Sequence, residues 1–116
     1  MEATVILARC PDNGQLYGMR TQKMSDGDWR RNWAFPVNER QAKSEGYDRM
    51  QIRGSLRYEP DYPGCPYCGA KNLVQCGKCG KLTCWKGETA LVCGWCGIRM
   101  EGFEQVPEVR VSGGDM

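Results

Sequence analysis

The chain has 116 residues, eight of them cysteine and none histidine, with 16 Lys and Arg against 14 Asp and Glu for a formal charge of +2. Without histidine, Cys₂His₂ and Cys₃His zinc sites, Ser-His-Asp and Cys-His nucleophile systems, and His-ligated zinc hydrolases are all excluded. Eight thiolates around two Zn²⁺ would bring the net charge to about −2, which removes the basic footprint of a nucleic-acid binder.

No basic region precedes an apolar stretch at the N-terminus, and the longest apolar run, Val5 to Ala8, is far too short to span a membrane. A reducing, cytoplasmic setting is therefore expected. There, clustered cysteines bind metal in preference to forming disulfides.

In chain order, Thr4 to Ala8 is β-branched and apolar and reads as a strand. The turn Cys10-Pro11-Asp12-Asn13-Gly14 leads back through a second strand from Gln15 to Arg20. A turn at Ser25 to Asp28 precedes a third strand from Trp29 to Phe35, in which Trp29, Trp33 and Phe35 alternate with polar positions. The paired Arg30 and Arg31 are expected on its solvent side or at an edge. Pro36 ends the strand. Asn38 with Gln41 forms a capping-box pattern and Gly46 a stop, which predicts a short helix over 39–45. Gln51 to Tyr58 reads as a further strand.

Pro60, Pro63 and Gly64 then mark a boundary, after which residues 65–97 hold seven of the eight cysteines. The expected organisation is a β-rich subdomain over 1–62 and a zinc ribbon over 63–101. A partly disordered tail follows over 102–116, with disorder from about Val111 and an added strand through Val106, Val109 and Val111 as the alternative. The fold class is mostly β (small α+β), an N-terminal antiparallel sheet with one short helix packed on a cysteine-rich zinc ribbon.

Cys65-Pro66-Tyr67-Cys68-Gly69 and Cys93-Gly94-Trp95-Cys96-Gly97 are zinc knuckles, in which one tight turn aims two sulfurs at one ion. The glycine after each second cysteine fits a place where a side chain would obstruct the turn. Both knuckles place an aromatic residue before the second cysteine, which favours one zinc at Cys65, Cys68, Cys93 and Cys96. A second zinc would then be held by Cys10, Cys76, Cys79 and Cys84. The other division pairs Cys76 and Cys79 with Cys93 and Cys96, leaving Cys65 and Cys68 with Cys84 and Cys10. Cys10 and Cys84 are otherwise small buried hydrophobes.

Two further readings of these residues compete. Thiol redox or metal-handling chemistry through C-x-x-C needs an exposed, low-pKa dithiol at a helix N-terminus, whereas these pairs lie in a Gly-rich, strand-like context. A nucleic-acid-binding ribbon would combine the abundant aromatics, Tyr47 and Phe103 among them, with Lys71, Lys78, Lys81 and Lys86. The aromatics serve equally as the core of a protein short of Leu and Ile.

The run of Cys65-Pro-Tyr-Cys68-Gly, Cys76-Gly-Lys-Cys79-Gly-Lys, Cys84-Trp and Cys93-Gly-Trp-Cys96-Gly resembles the metal-binding domain at the C-terminus of TerY proteins. The stretches Leu7-Ala-Arg-Cys10-Pro, Leu16-Tyr-Gly-Met-Arg20 and Trp33-Ala-Phe-Pro36 resemble small stand-alone bacterial proteins with this ribbon. Gly94 stands where such ribbons often carry proline, and no von Willebrand adhesion site carries over. The resemblance implies a non-catalytic zinc-binding adaptor that engages a protein partner. Its setting would be a bacterial tellurite-resistance-like stress or defence cassette containing a kinase and a phosphatase.

Overall fold

The computed structural model describes residues 3–45, 50–101 and 108–115. Among the described residues, nine strands and one helix follow one another as β1 (Ala3–Arg9), β2 (Leu16–Lys23), β3 (Trp29–Pro36), α1 (Glu39–Glu45), β4 (Met50–Tyr58), β5 (Asn72–Gln75), β6 (Leu82–Trp85), β7 (Ala90–Val92), β8 (Arg99–Glu101) and β9 (Glu108–Asp115). The mostly-β class with one short helix holds. Asn38 caps α1 as its position suggests, its Oδ1 accepting the Gln41 amide at 2.6 Å. Gly46, Tyr47 and Phe103 lie outside the described residues.

Seven strands form one sheet in the order β2-β3-β4-β9-β1-β6-β5, and β1 also pairs with β2. The strands β1, β2, β3, β4 and β9 therefore curl into a closed ring. β6 adds to the same edge of β1 beyond its pairing with β9, through Ala8↔Leu82 and Arg9↔Thr83. The hairpin β7–β8 stands apart as a two-stranded sheet.

The sheet is mixed, not purely antiparallel: β3 pairs with β4 in parallel, and β1 with β6. The first pairing follows from α1, because a helical crossover returns the chain in the same direction. Disorder is the expectation from about Val111, yet Glu108–Asp115 is β9, paired with β4 over Met50–Ser55 and with β1 over Thr4–Ile6. It occupies the gap between two strands that would otherwise present open edges.

A second departure lies in β3. Its register with β2 passes from Arg20↔Trp33 to Thr21↔Arg31, so Asn32 is an extra residue without a partner. A bulge of one residue reverses which face the following side chains take. Trp29 is buried as expected, but Trp33 is 56% exposed and Ala34 faces inward. Arg31, placed by sequence on the solvent side, shares the Trp29 face and is only 1% exposed.

The larger buried cluster includes Ile6, Tyr17, Met19, Trp29, Leu56, Tyr62 and Leu82, and it runs directly into Cys10, Cys65 and Cys84. A smaller cluster of Val5, Leu16, Val37 and Ala42 seats the helix on the outer face of β1 and β2. Leu7, Phe35 and Trp95 pack against it. The barrel interior and the first cysteine group thus share one core.

Candidate metal centres

Three C-x-x-C-G turns repeat one backbone pattern. The glycine amide donates back to the first cysteine's carbonyl, for Gly69 to Cys65 and Gly80 to Cys76 at 2.8 Å and for Gly97 to Cys93 at 3.1 Å. The first cysteine's amide donates forward five residues, to Ala70, Lys81 and Ile98. The glycines have φ of 81°, 74° and 79°, with nothing within 4 Å of where a Cβ would stand. Left-handed backbone therefore requires glycine there, not the crowding expected from sequence.

The turn after β1 repeats this pattern exactly once more. Gly14 donates to the Cys10 carbonyl at 2.8 Å, Cys10 donates to Gln15 at 3.0 Å, and Gly14 has φ of 69°. Cys10-Pro11-Asp12-Asn13-Gly14 is a half-knuckle, with Asn13 where the second cysteine would stand. Its match to Cys65-Pro66-Tyr67-Cys68-Gly69 is visible in the sequence and is the signal that joins Cys10 to that pair.

The eight sulfurs fall into two groups, and within each all four lie within 4.8 Å of one another. The first comprises Cys10, Cys65, Cys68 and Cys84, and the second Cys76, Cys79, Cys93 and Cys96. This is the alternative division. The outer pairing of Cys65 and Cys68 with Cys93 and Cys96 is not what the fold assembles. The antiparallel hairpin β5–β6, with Leu73 opposite Cys84, brings Cys84 to the first knuckle. The parallel β1–β6 contact brings Cys10 to the same place.

Four sulfurs at about 2.3 Å from a tetrahedral zinc stand about 3.8 Å from each other. Cys68 and Cys84 sulfurs are 3.4 Å apart, Cys76 and Cys96 3.6 Å, and Cys79 and Cys93 3.7 Å. Both donor sets fit such an ion. No disulfide links any of these cysteines.

Backbone amides already favour thiolates here. The Tyr67 amide points at Cys65 Sγ and the Trp95 amide at Cys93 Sγ, each at 3.4 Å. Without metal, hydrogen bonding from Cys84 brings the Cys65 thiol down to about 5, while the same contact pushes Cys84 up. In the second group, burial raises Cys93, but the Cys96 and Trp95 amides outweigh it and bring it to about 7. Burial drives Cys79 up to about 12. In each group one sulfur is thus shifted toward the thiolate form that receives a cation, while its partners are held protonated and would release protons on binding.

The groups differ in access. Cys10, Cys65 and Cys84 are buried and Cys68 half-buried, whereas in the second group Cys96 is exposed and Cys79 half-buried. One polar neighbour escaped the sequence reading. Thr83 is wholly buried, its hydroxyl donating to Cys93 Sγ at 3.9 Å and accepting from the Gly94 amide at 3.3 Å. Gly94 itself packs on β1, since a Cβ there would lie 2.8 Å from Cβ of Arg9.

A small, mostly-β chain that gathers eight thiols into two four-cysteine groups is a metal-binding domain. Residues 12–112 match the TerY-C metal binding domain, and the chain belongs to that family. No curated protein and no solved structure is matched by the chain.

Proposed function

We propose that this domain is a non-catalytic, zinc-stabilised adaptor that holds two zinc ions and presents its surface to a protein partner. The observation that carries the reading is that all eight thiols are taken up in two four-sulfur groups. Tetrahedral four-thiolate sets suit zinc, and four protein ligands leave no position for water or substrate. The reading extends to the cytoplasm, where thiols stay reduced, and to a tellurite-resistance-like stress cassette with kinase and phosphatase partners. No helix among the described residues is long and apolar enough to cross a membrane.

Native mass spectrometry tests the metal half of the reading, with two zinc ions per chain expected. One zinc with four freely titrating thiols would overturn it. Co-purification with the cassette kinase or phosphatase at stoichiometric ratio supports the adaptor role. Tight binding to single-stranded DNA that falls steeply with salt would replace it with a nucleic-acid role.

A further inference from the structure

Arg31 is a cation inside the core, and no carboxylate faces it among the described residues. Its Nη1 donates to the Lys71 carbonyl at 2.8 Å and reaches Met19 Sδ at 4.0 Å, while Nε reaches the Arg57 carbonyl at 3.4 Å. The guanidinium also stacks over Tyr62 at 5.1 Å and Tyr58 at 5.4 Å. Carbonyls and rings solvate a guanidinium but do not neutralise it, and arginine remains charged even when buried.

The missing negative charge has a source in the same core. Met19, Tyr17 and Tyr62 belong to the cluster that contains Cys10, Cys65 and Cys84. Burial pushes the Tyr62 hydroxyl up to about 12, with Arg31 opposing that shift and the Cys65 and Cys84 sulfurs adding to it. Tyr62 thus lies under the guanidinium and in the same buried cluster as three cysteines of the first group. Four thiolates around a divalent cation carry a net charge of about −2 in a medium that screens poorly.

The hydrogen bonds of Arg31 also bracket the first knuckle along the chain. Arg57 precedes Cys65, and Lys71 follows Ala70, whose carbonyl accepts the Cys65 amide at 2.8 Å. The Arg31 carbonyl itself accepts the Glu59 amide at 2.9 Å. The segment carrying Cys65 and Cys68 is thus held at both ends by one residue of β3.

We propose that Arg31 is the positioning residue of the first metal site, supplying its buried counter-charge and fixing the segment that carries the first knuckle. This deepens the two-zinc reading and rests on it. The bulge at Asn32 serves the same end, because it lets Arg31 point inward while Trp33 points out.

The test compares Arg31→Lys, Arg31→Gln and Arg31→Met in the full chain, challenging each zinc-replete protein with a chelator. Pulse alkylation, mapped by peptide mass, then reports which cysteines have lost metal. Removing an outer-shell partner typically weakens metal binding about 10–100-fold. That loss is expected for Cys65 and Cys68 in Arg31→Gln and Arg31→Met, with Cys93 and Cys96 unchanged.

Arg31→Lys keeps the charge without the fork and should recover part of the loss. In the cobalt-substituted protein, the first site's sulfur-to-metal absorption should move to lower energy in Arg31→Gln, because the sulfurs lose a neighbouring cation. Equal loss at both groups, or a lysine variant as defective as methionine, would overturn the counter-charge role. Unprotected Cys65 and Cys68 in the unsubstituted protein would instead sink the two-zinc reading, and this inference with it.

Discussion

Thr83 and Cys84 are consecutive on β6 yet serve different metal groups. The Cys84 sulfur stands 3.4 Å from Cys68, while the Thr83 hydroxyl stands 3.9 Å from Cys93 Sγ. Alternation along a strand sends neighbouring side chains to opposite faces, so β6 is the shared wall between the two centres. Thr83→Val keeps the shape and removes the hydroxyl, leaving the Gly94 amide without its acceptor. The expected result is a zinc affinity lowered about tenfold at the second group, the lower end of outer-shell effects, with the first unchanged. Chelator competition followed by cysteine mapping checks it.

The unequal burial of the two groups predicts an order of metal loss. Cys96 is exposed and Cys79 half-buried, so a chelator or an alkylating reagent meets the second group first. Trp95 offers an optical readout, because its ring lies 4.6 Å from the Arg9 guanidinium carbon and 4.4 Å from Lys81 Nζ, between two cations fixed by the knuckle and β1. Its fluorescence should change in the first phase of a chelator titration and stay constant in the second. Cys96 should be the first residue alkylated. A first phase carried by Cys65 and Cys68 would contradict this order.

Two glycines separate conformational from steric demands. Gly64 has φ of 86°, and a Cβ there would lie 2.4 Å from the Gly69 carbonyl oxygen. Gly64→Ala should cost more than about 2 kcal/mol, since the left-handed backbone alone costs roughly 1–2 kcal/mol. It should also open the first knuckle. At Gly94 the backbone is ordinary and only the contact with Arg9 is tight, so Gly94→Ala should cost about 1–3 kcal/mol by overpacking. That loss should fall on the second group. Denaturant unfolding of both variants in zinc buffer measures the two costs.

Local chemistry made the five N-terminal elements, β1 to β4 and α1, readable. Asn38 and Gln41 mark α1, and the β-branched, apolar run from Thr4 to Ala8 marks β1. The division of cysteines was not readable in the same way, because it depends on which strands become neighbours. Cys84 joins the first group only through the β5–β6 hairpin and the parallel contact of β6 with β1. One clue was present, in that Cys10-Pro-Asp-Asn-Gly14 repeats the spacing of Cys65-Pro-Tyr-Cys-Gly69. The aromatic before the second cysteine of two knuckles was a weaker clue and pointed elsewhere. Arg31 was hidden for a different reason: alternation already puts it on the Trp29 face, but arginine is seldom buried, and what the inserted residue at Asn32 reverses is Trp33, which no propensity announces.

Tyr17 supplies the last prediction. It lies on β2, is wholly buried, and meets the ring of Tyr67 edge-on at a centroid distance of 6.3 Å. Its hydroxyl has no hydrogen-bond partner among the described residues. Burial, followed by the nearby Cys84 and Cys65 sulfurs, holds its pKa well above the usual phenol value, so it remains neutral. A buried hydroxyl without a partner costs roughly 1–3 kcal/mol of desolvation, so Tyr17→Phe should stabilise the fold by about 1 kcal/mol. Tyr67→Phe is the control, because that hydroxyl donates to the Leu16 carbonyl at 2.8 Å and its loss should destabilise by about 1 kcal/mol. Urea midpoints at constant m-value would show the opposite signs. A Tyr17→Phe protein that is less stable and also loses zinc from the first group would mean that the hydroxyl turns to a metal-bound sulfur, and the stabilising prediction would fail.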